Sequence, residues 1–307
     1  MHPLERIRAF LVRLASALGQ WLLGPADPRA YACVRIGYAF AALCVLIDLW
    51  PLRQTLLADT GMFGGADHEA PLATLDVFRL ASSESAVSTV FVVVAIALVT
   101  LGLGILPRLS AFVAYVWTLS YADTAQTALS GFDTILRCAG FVLVIGPQVP
   151  TWALGPRWAR GSNAQPPRYG LRLLQWQLML IYVCTVWLKA PDEFWRRGEA
   201  ITYFMMSMFA RHPDPAFAHH VALGAVFTYA TLLMEASIPF LLWMRRTRMF
   251  GVALGVGLHL GIGFGARLAL FTLAMVPLYL SFFETQDFEW LRSWWPRPVT
   301  PSDQRPA

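Results

Sequence analysis

Charge, cysteine and lysine are all scarce in this chain. Charged residues make up 14% of its 307 residues and hydrophobic ones 57%, whereas soluble domains carry roughly 25% charged residues. With a mean hydropathy of +0.52, a soluble globular domain is excluded and a polytopic membrane protein is implied. The four cysteines, Cys33, Cys44, Cys138 and Cys184, all fall inside apolar runs, and no CxxC occurs. That excludes a disulfide framework and a zinc site. His212, His219 and His220 do not have metal-site spacing either, so no metal is expected. The net charge of +5 is spread as arginines over short loops, with no basic face carrying stacking aromatics, so no nucleic acid is expected as a partner. Of the 24 basic side chains, 23 are arginine and one, Lys189, is lysine.

What is present is apolar run after apolar run. Eight stretches approach the ~20 mainly apolar residues that a spanning helix needs. They lie near 30–50, 86–106, 109–128, 132–148, 169–190, 221–243, 247–265 and 267–284. The last two are glycine-broken. Ahead of them, Ile7, Phe10, Leu11, Leu14, Leu18, Trp21 and Leu22 recur at helical spacing while Arg6, Arg8 and Arg13 occupy other faces. This pattern predicts an amphipathic helix lying in the bilayer interface rather than a cleaved signal. The expected fold is all-α: a polytopic bundle of about eight transmembrane helices over 25–290, an interfacial helix over 1–24 and a short cytoplasmic tail over 291–307. No internal repeat and no soluble domain are visible.

Arginine distribution gives the orientation. With the N-terminus in the cytoplasm, fifteen arginines fall on the cytoplasmic side, and seven basic residues, Lys189 included, on the other. The first outer loop, 51–85, holds five acids against two arginines. Both termini are therefore expected in the cytoplasm of a cell-membrane protein, with Lys189 at the outer end of the fifth span.

Gln175, Leu178, Tyr182 and Thr185 share the helical face of Lys189, and Gln175, Tyr182 and Lys189 are each seven apart. That heptad spacing drifts by only ~20° per repeat. A polar stripe on a spanning helix avoids lipid and turns inward. Two readings of Lys189 are open. It snorkels as an anchor beside Trp187 and Trp195, or it serves as a base, because lysine can lose its proton and arginine in practice cannot. Asp192 and Glu193 lie close in sequence and would favour its charged form.

Other polar residues stand within the spans. Ser130 and Asp133 form a helix-start pattern, and Asp133 and Arg137 are i,i+4 neighbours expected to pair. Gly251, Gly255, His259 and Gly263 recur every four residues, predicting a small-residue packing face that points His259 at protein. Glu235 lies inside the sixth span, four residues before Pro239, and is expected to pair with Arg137 or to line a cavity. The segment EAITYFMMSMFA predicts a helix in the outer interface near Lys189.

Four stretches in order, ACVRIGYAFAALCVLIDLWPLRQTLLADTGMF, LSGFDTILR, LIYVCTVWLKAPDEFWRRGEAITYF and HLGIGFGARLALFTLAMVPLYLSFF, resemble the HTTM domain. This is the membrane domain shared with vitamin K-dependent gamma-glutamyl carboxylase. The resemblance covers about 25–290 and is most specific from Tyr182 through Lys189 to Trp195, Gly198 and Tyr203. It implies a site near the outer face with Lys189 as base and His259 as a further site residue. Tyr182, Trp195, Asp133 and Arg137 would shape a cavity for a reduced quinone resembling vitamin K hydroquinone. In that family the hydroquinone is oxidised to its epoxide, and the strong base so produced removes a proton from glutamate before carbon dioxide adds. The chain departs from the carboxylase in having Leu188 beside Lys189, where the carboxylase has adjacent lysines, and in having no histidine over 110–140. A quinone-type site is thus better supported than glutamate carboxylation. The functional reading is a quinol-dependent enzyme of the epoxidase or carboxylase type. The alternatives are a transporter or lipid-handling protein in which Lys189 holds an anion, and a scaffold in which it is an anchor.

Overall fold

The computed structural model describes residues 3–63, 76–155 and 165–294. All regular elements among these residues are helical. In chain order they are α1 (Pro3–Leu23), α2 (Pro28–Leu49), α3 (Arg53–Leu57), α4 (Val77–Leu80), α5 (Glu84–Leu103), α6 (Pro107–Thr124), α7 (Gly131–Ile145), α8 (Tyr169–Lys189), α9 (Glu193–Arg196), α10 (Ala200–Met206), α11 (Val221–Trp243), α12 (Arg248–Gly265), α13 (Ala269–Leu280) and α14 (Thr285–Ser293).

Local chemistry sets several boundaries. Asp27 caps α2 by accepting the Arg29 N–H, and Pro28 occupies the first turn, where no N–H is required. Ser83 caps α5, which ends at Gly104 in the left-handed region (φ 70°). A side chain at Gly104 would strike Ala153 and the Arg35 guanidinium. Ser130 and Asp133 form the expected capping box of α7, and Glu284 and Asp287 form another on α14.

Five helical stretches among the described residues are long and apolar enough to cross a membrane: Pro28–Leu57, Glu84–Leu103, Tyr169–Lys189, Val221–Trp243 and Arg248–Gly265. The chain is accordingly a multi-pass membrane protein. Of the eight expected spans, five meet this length and apolarity. Each remaining run forms a helix, but α7 has 15 residues and α13 has 12. At ~1.5 Å per residue these are shorter than a ~30 Å hydrocarbon core. The segment α6 has 18 residues but carries Ser, Thr, Tyr and Asp along its length, and it is less apolar than the five.

The N-terminal segment is helical, as the periodicity predicts. Its Phe10, Leu11, Val12, Leu14 and Leu18 are exposed to the surroundings. The expected tail begins inside α14, and its residues from 295 on lie outside those described, with Arg297 and Arg305 among them; so do Arg157 and Arg160.

Neighbouring helices pack in sequence: α2 on α5, α5 on α6, α6 on α7, α8 on α11, α11 on α12 and α12 on α13. Helix α13 closes the bundle by also packing on α2, α7 and α8. Its Met275, Leu278 and Tyr279 are therefore among the most completely buried side chains. Gly251 packs against Leu241 and Leu242 of α11, and Gly263 against Thr272 of α13, while Gly257, Gly261 and Gly265 face open space. The four-residue stripe is thus the protein-facing side of α12.

Candidate functional site

Lys189 is the last residue of α8 and points inward. Its Nζ donates to both carboxylate oxygens of Glu235, at 2.7 and 2.8 Å. The ammonium also lies 4.3 Å from the centre of the Trp195 ring, a cation–π contact. Glu235 is 5% exposed in the middle of α11. Pro239 cannot donate to the carbonyl four residues before it, which loosens the backbone of α11 at the position that carries this carboxylate.

The neighbouring acids do not compete for the lysine. Asp192 accepts the N–H groups of Phe194 and Trp195 at 3.0 and 3.2 Å, capping α9 and so fixing the backbone that carries the Trp195 ring. Glu193 pairs instead with Arg197, and both side chains are largely exposed. The sequence leaves open which way Asp192 and Glu193 point, and the structure turns both away from Lys189. A helix cap and an i,i+4 partner are nearer to them.

Two turns along α8 from Lys189, at ~1.5 Å per residue, Tyr182 meets His259 of α12. The Tyr182 hydroxyl is 3.0 Å from His259 Nε2 and in close hydrogen-bond contact with the hydroxyl of Tyr279 from α13. All three rings are buried. The His259 ring packs on Phe271 with centroids 5.3 Å apart, and its backbone carbonyl accepts from Thr272 Oγ1 at 2.6 Å. The Nδ1 atom of His259 is buried and has no hydrogen-bond partner among the described residues. A buried polar atom left unpaired calls for an explanation, because most are satisfied. The Tyr279 hydroxyl reaches the cluster because residue 255 is glycine. A methyl group at Gly255 would collide with the Tyr279 ring and hydroxyl.

The inward face expected for α8 is thus present: Gln175, Leu178 and Tyr182 are buried, while Leu173, Trp176, Leu180, Val183, Trp187 and Leu188 face outward. Gln175 lies at the far end of the helix, where it donates to the Ser281 carbonyl.

Asp133 and Arg137 behave differently from expectation. The Asp133 carboxylate accepts the Ser130 N–H at 2.7 Å, and no ion pair joins it to Arg137 among the described residues. Capping α7 takes up the carboxylate that the i,i+4 spacing assigns to the arginine. Glu235 likewise pairs with Lys189 rather than Arg137.

Two members of the cluster were not foreseen as site residues, Glu235 as the partner of Lys189 and Tyr279 as the partner of Tyr182. The signal for Glu235 was a carboxylate inside a span, which requires a cation. Nothing in the MVPLYLSFF run distinguishes Tyr279 as polar and inward.

Comparison with known proteins identifies the family. The family model for the HTTM domain matches residues 24–289. The chain belongs to that family, and HTTM is the domain of vitamin K-dependent gamma-carboxylase-like proteins. No curated protein and no solved structure matches the chain.

Proposed function

We propose that this HTTM-domain membrane protein is an enzyme in which Lys189 removes a proton from a substrate near the outer face of the membrane, in quinol-dependent chemistry of the epoxidase or carboxylase type. The observation that carries the reading is the Lys189–Glu235 pair, set two turns along one helix from the buried Tyr182–His259–Tyr279 cluster.

Lys189 needs a way to become an uncharged amine. The Glu235 carboxylate, 2.7 Å from Nζ, is within direct proton-transfer reach. Moving the ammonium proton to Oε1 converts an ion pair into an amine and a carboxylic acid with no change in net charge. The Trp195 face holds the ammonium in position before the transfer. The amine then accepts the substrate proton, a general-base role worth about 10²–10⁴ in rate.

The residues present also fit a reduced quinone. The Nδ1 of His259, unpaired among the described residues, and the hydroxyls of Tyr182 and Tyr279 form one polar cluster among buried apolar side chains. Such a cluster suits the hydroxyl groups of a hydroquinone ring. Bound there, a reduced quinone would supply two electrons to dioxygen, the oxidant, and in being oxygenated would furnish a strong oxygen base. His259 and the tyrosines would hold and orient the ring, and the surrounding helices would keep water out.

The orientation proposed from arginine counting, with both termini cytoplasmic, puts Lys189 at the outer end of α8. The alternative in which Lys189 holds an anionic ligand has less support, because both Glu235 oxygens already occupy its ammonium.

The test is epoxide formation by the purified protein incubated with vitamin K hydroquinone and dioxygen. Lys189→Arg keeps the charge but cannot act as a base. It is expected to lower turnover by about 10²-fold or more while the protein inserts and purifies normally. Full activity of Lys189→Arg would reject the base. No turnover of any hydroquinone by the wild type would reject the quinol chemistry.

A further inference from the structure

A second site lies at the other end of α8, independent of the reading above. A cavity of about 580 Å³ opens where the α1–α2 junction, the start of α8, the end of α11 and the α13–α14 junction converge. Its wall carries Arg168, Arg172 and Arg245 together with Asp27, Glu284 and Glu289. The formal charges balance, but the pairing does not.

Two of the three acids are already engaged. Asp27 is gripped by the Arg29 guanidinium, at 3.0 and 3.2 Å from Nε and 2.6 Å from Nη2. Glu284 is 3.1 Å from Arg248 and 3.5 Å from Arg168. The third, Glu289, is exposed, where water screens it.

Two of the three arginines, by contrast, touch only neutral groups. Arg172 donates from Nη1 to Gln175 Oε1 at 2.7 Å and from Nε to the Trp21 carbonyl at 3.3 Å. Its Nη2 has no hydrogen-bond partner among the described residues. Arg245 donates from Nε to Gln286 Oε1 and makes no ion pair among the described residues. Arg172 is also held rigid. Its guanidinium carbon lies 4.6 Å from the centre of the Trp21 ring and 5.2 Å from that of Trp243.

A planar guanidinium fixed by stacking, with free N–H groups on the wall of a cavity, is suited to phosphate oxygens, which it binds as a fork. Helices α2 and α8 both start at this wall, adding the positive ends of their dipoles. The aromatic shelf of Trp21, Trp176 and Trp243 adjoins it, and Trp176 is half exposed. Leu18, Leu22 and Leu23 of α1 continue the apolar surface outward.

We infer that this cavity binds a phosphate group between Arg172 and Arg245, and that the adjoining tryptophans receive the apolar part of a phosphate-bearing amphiphile. The same arginines would accept free phosphate, so the two sources are separated by experiment. Binding of radiolabelled phosphatidic acid and, separately, of radiolabelled inorganic phosphate is measured on the detergent-solubilised full chain. Saturable binding of phosphatidic acid is expected, weakened at least tenfold in Arg172→Gln and in Arg245→Gln. Arg246→Gln, an exposed arginine next in sequence that is not on the cavity wall, is expected to bind as the wild type does.

Saturable binding of inorganic phosphate alone would uphold the phosphate site and overturn the amphiphile. No saturable binding of either probe, or an equal loss in Arg246→Gln, would overturn the site. Arg245 is exposed, so its variant keeps the test decisive if Arg172→Gln does not fold.

Discussion

Two of the ion clusters among the described residues, one on Arg248 and one on Lys189, are built differently. Arg248, at the start of α12, is 3.1 Å from Glu284 and 3.0 Å from Asp287, and the Asp287 carboxylate also accepts the Glu284 N–H that begins α14. One cation holds two carboxylates, and one of those is also a helix cap. Among the described residues Lys189 has a single carboxylate partner in Glu235, beyond which lie a tyrosine–tyrosine–histidine contact and an imidazole nitrogen with no partner. Burial of charge is common to both, so burial does not mark the site. What separates the two is an unpaired buried atom beside the ion pair: His259 Nδ1 lies next to the Lys189–Glu235 pair, and among the described residues the Arg248 cluster has no such atom.

The largest expected effect breaks the structural cluster. Arg248→Ala leaves Asp287 buried with its charge uncompensated, which costs about 3–5 kcal/mol. Chemical unfolding in detergent should show a loss of that size. Lys189→Arg keeps a cation beside Glu235 and should shift the same transition by less than about 1 kcal/mol. If Lys189→Arg proves the more destabilising of the two, the distinction between scaffold and site is wrong.

A smaller effect sharpens the comparison on the site side. Gly255→Ala forces the Tyr279 ring away from Tyr182, and overpacking of this kind costs about 1–3 kcal/mol. Gly257 is two residues along the same helix and faces open space. There alanine should instead stabilise by about 0.5–1 kcal/mol, through helix propensity. Opposite signs at the two glycines would establish that the stripe is shaped around Tyr279. Equal effects would mean that α12 responds only to propensity.

Much of this was legible in the sequence, and the rest was hidden for definable reasons. The inward face of α8 could be read because Gln175, Tyr182 and Lys189 keep a seven-residue spacing through an otherwise apolar run. The α12 stripe could be read because its glycines recur every four residues. The partner of Lys189 could not be read, since Glu235 is 46 residues away and Asp192 and Glu193 are adjacent. Asp192 is followed by Glu193, Phe194 and Trp195, a helix-start pattern that already accounts for its carboxylate. The same oversight explains Asp133, whose capping of α7 was read correctly but whose carboxylate was then counted again for Arg137. Arg35, 4% exposed in α2, has no acid partner among the described residues and donates to the Trp152 carbonyl at 2.9 Å. Backbone carbonyls of a distant loop leave no trace in side-chain spacing. Five of the eight expected spans meet the length and apolarity of a spanning helix, and α7 and α13 fold as helices shorter than their apolar runs because those runs include loop residues.

The finest expected effect lies within the site itself. Tyr182→Phe removes the hydroxyl that meets both His259 Nε2 and Tyr279, and a lost hydrogen bond of this kind costs about 0.5–1.5 kcal/mol. Tyr279→Phe removes only the contact between the tyrosines. If the three rings act as one unit, the double variant should be less destabilised than the sum of the singles, because removing both partners spares the penalty of leaving one unpaired. A double-mutant cycle on unfolding free energies should therefore give a coupling of about 0.5 kcal/mol or more. Additivity within error would mean that the hydroxyls are independent packing groups. The free Nδ1 of His259 would then lose its significance as part of a shared polar spot, and the contrast with the fully engaged Arg248 cluster would rest on Lys189 and Glu235 alone.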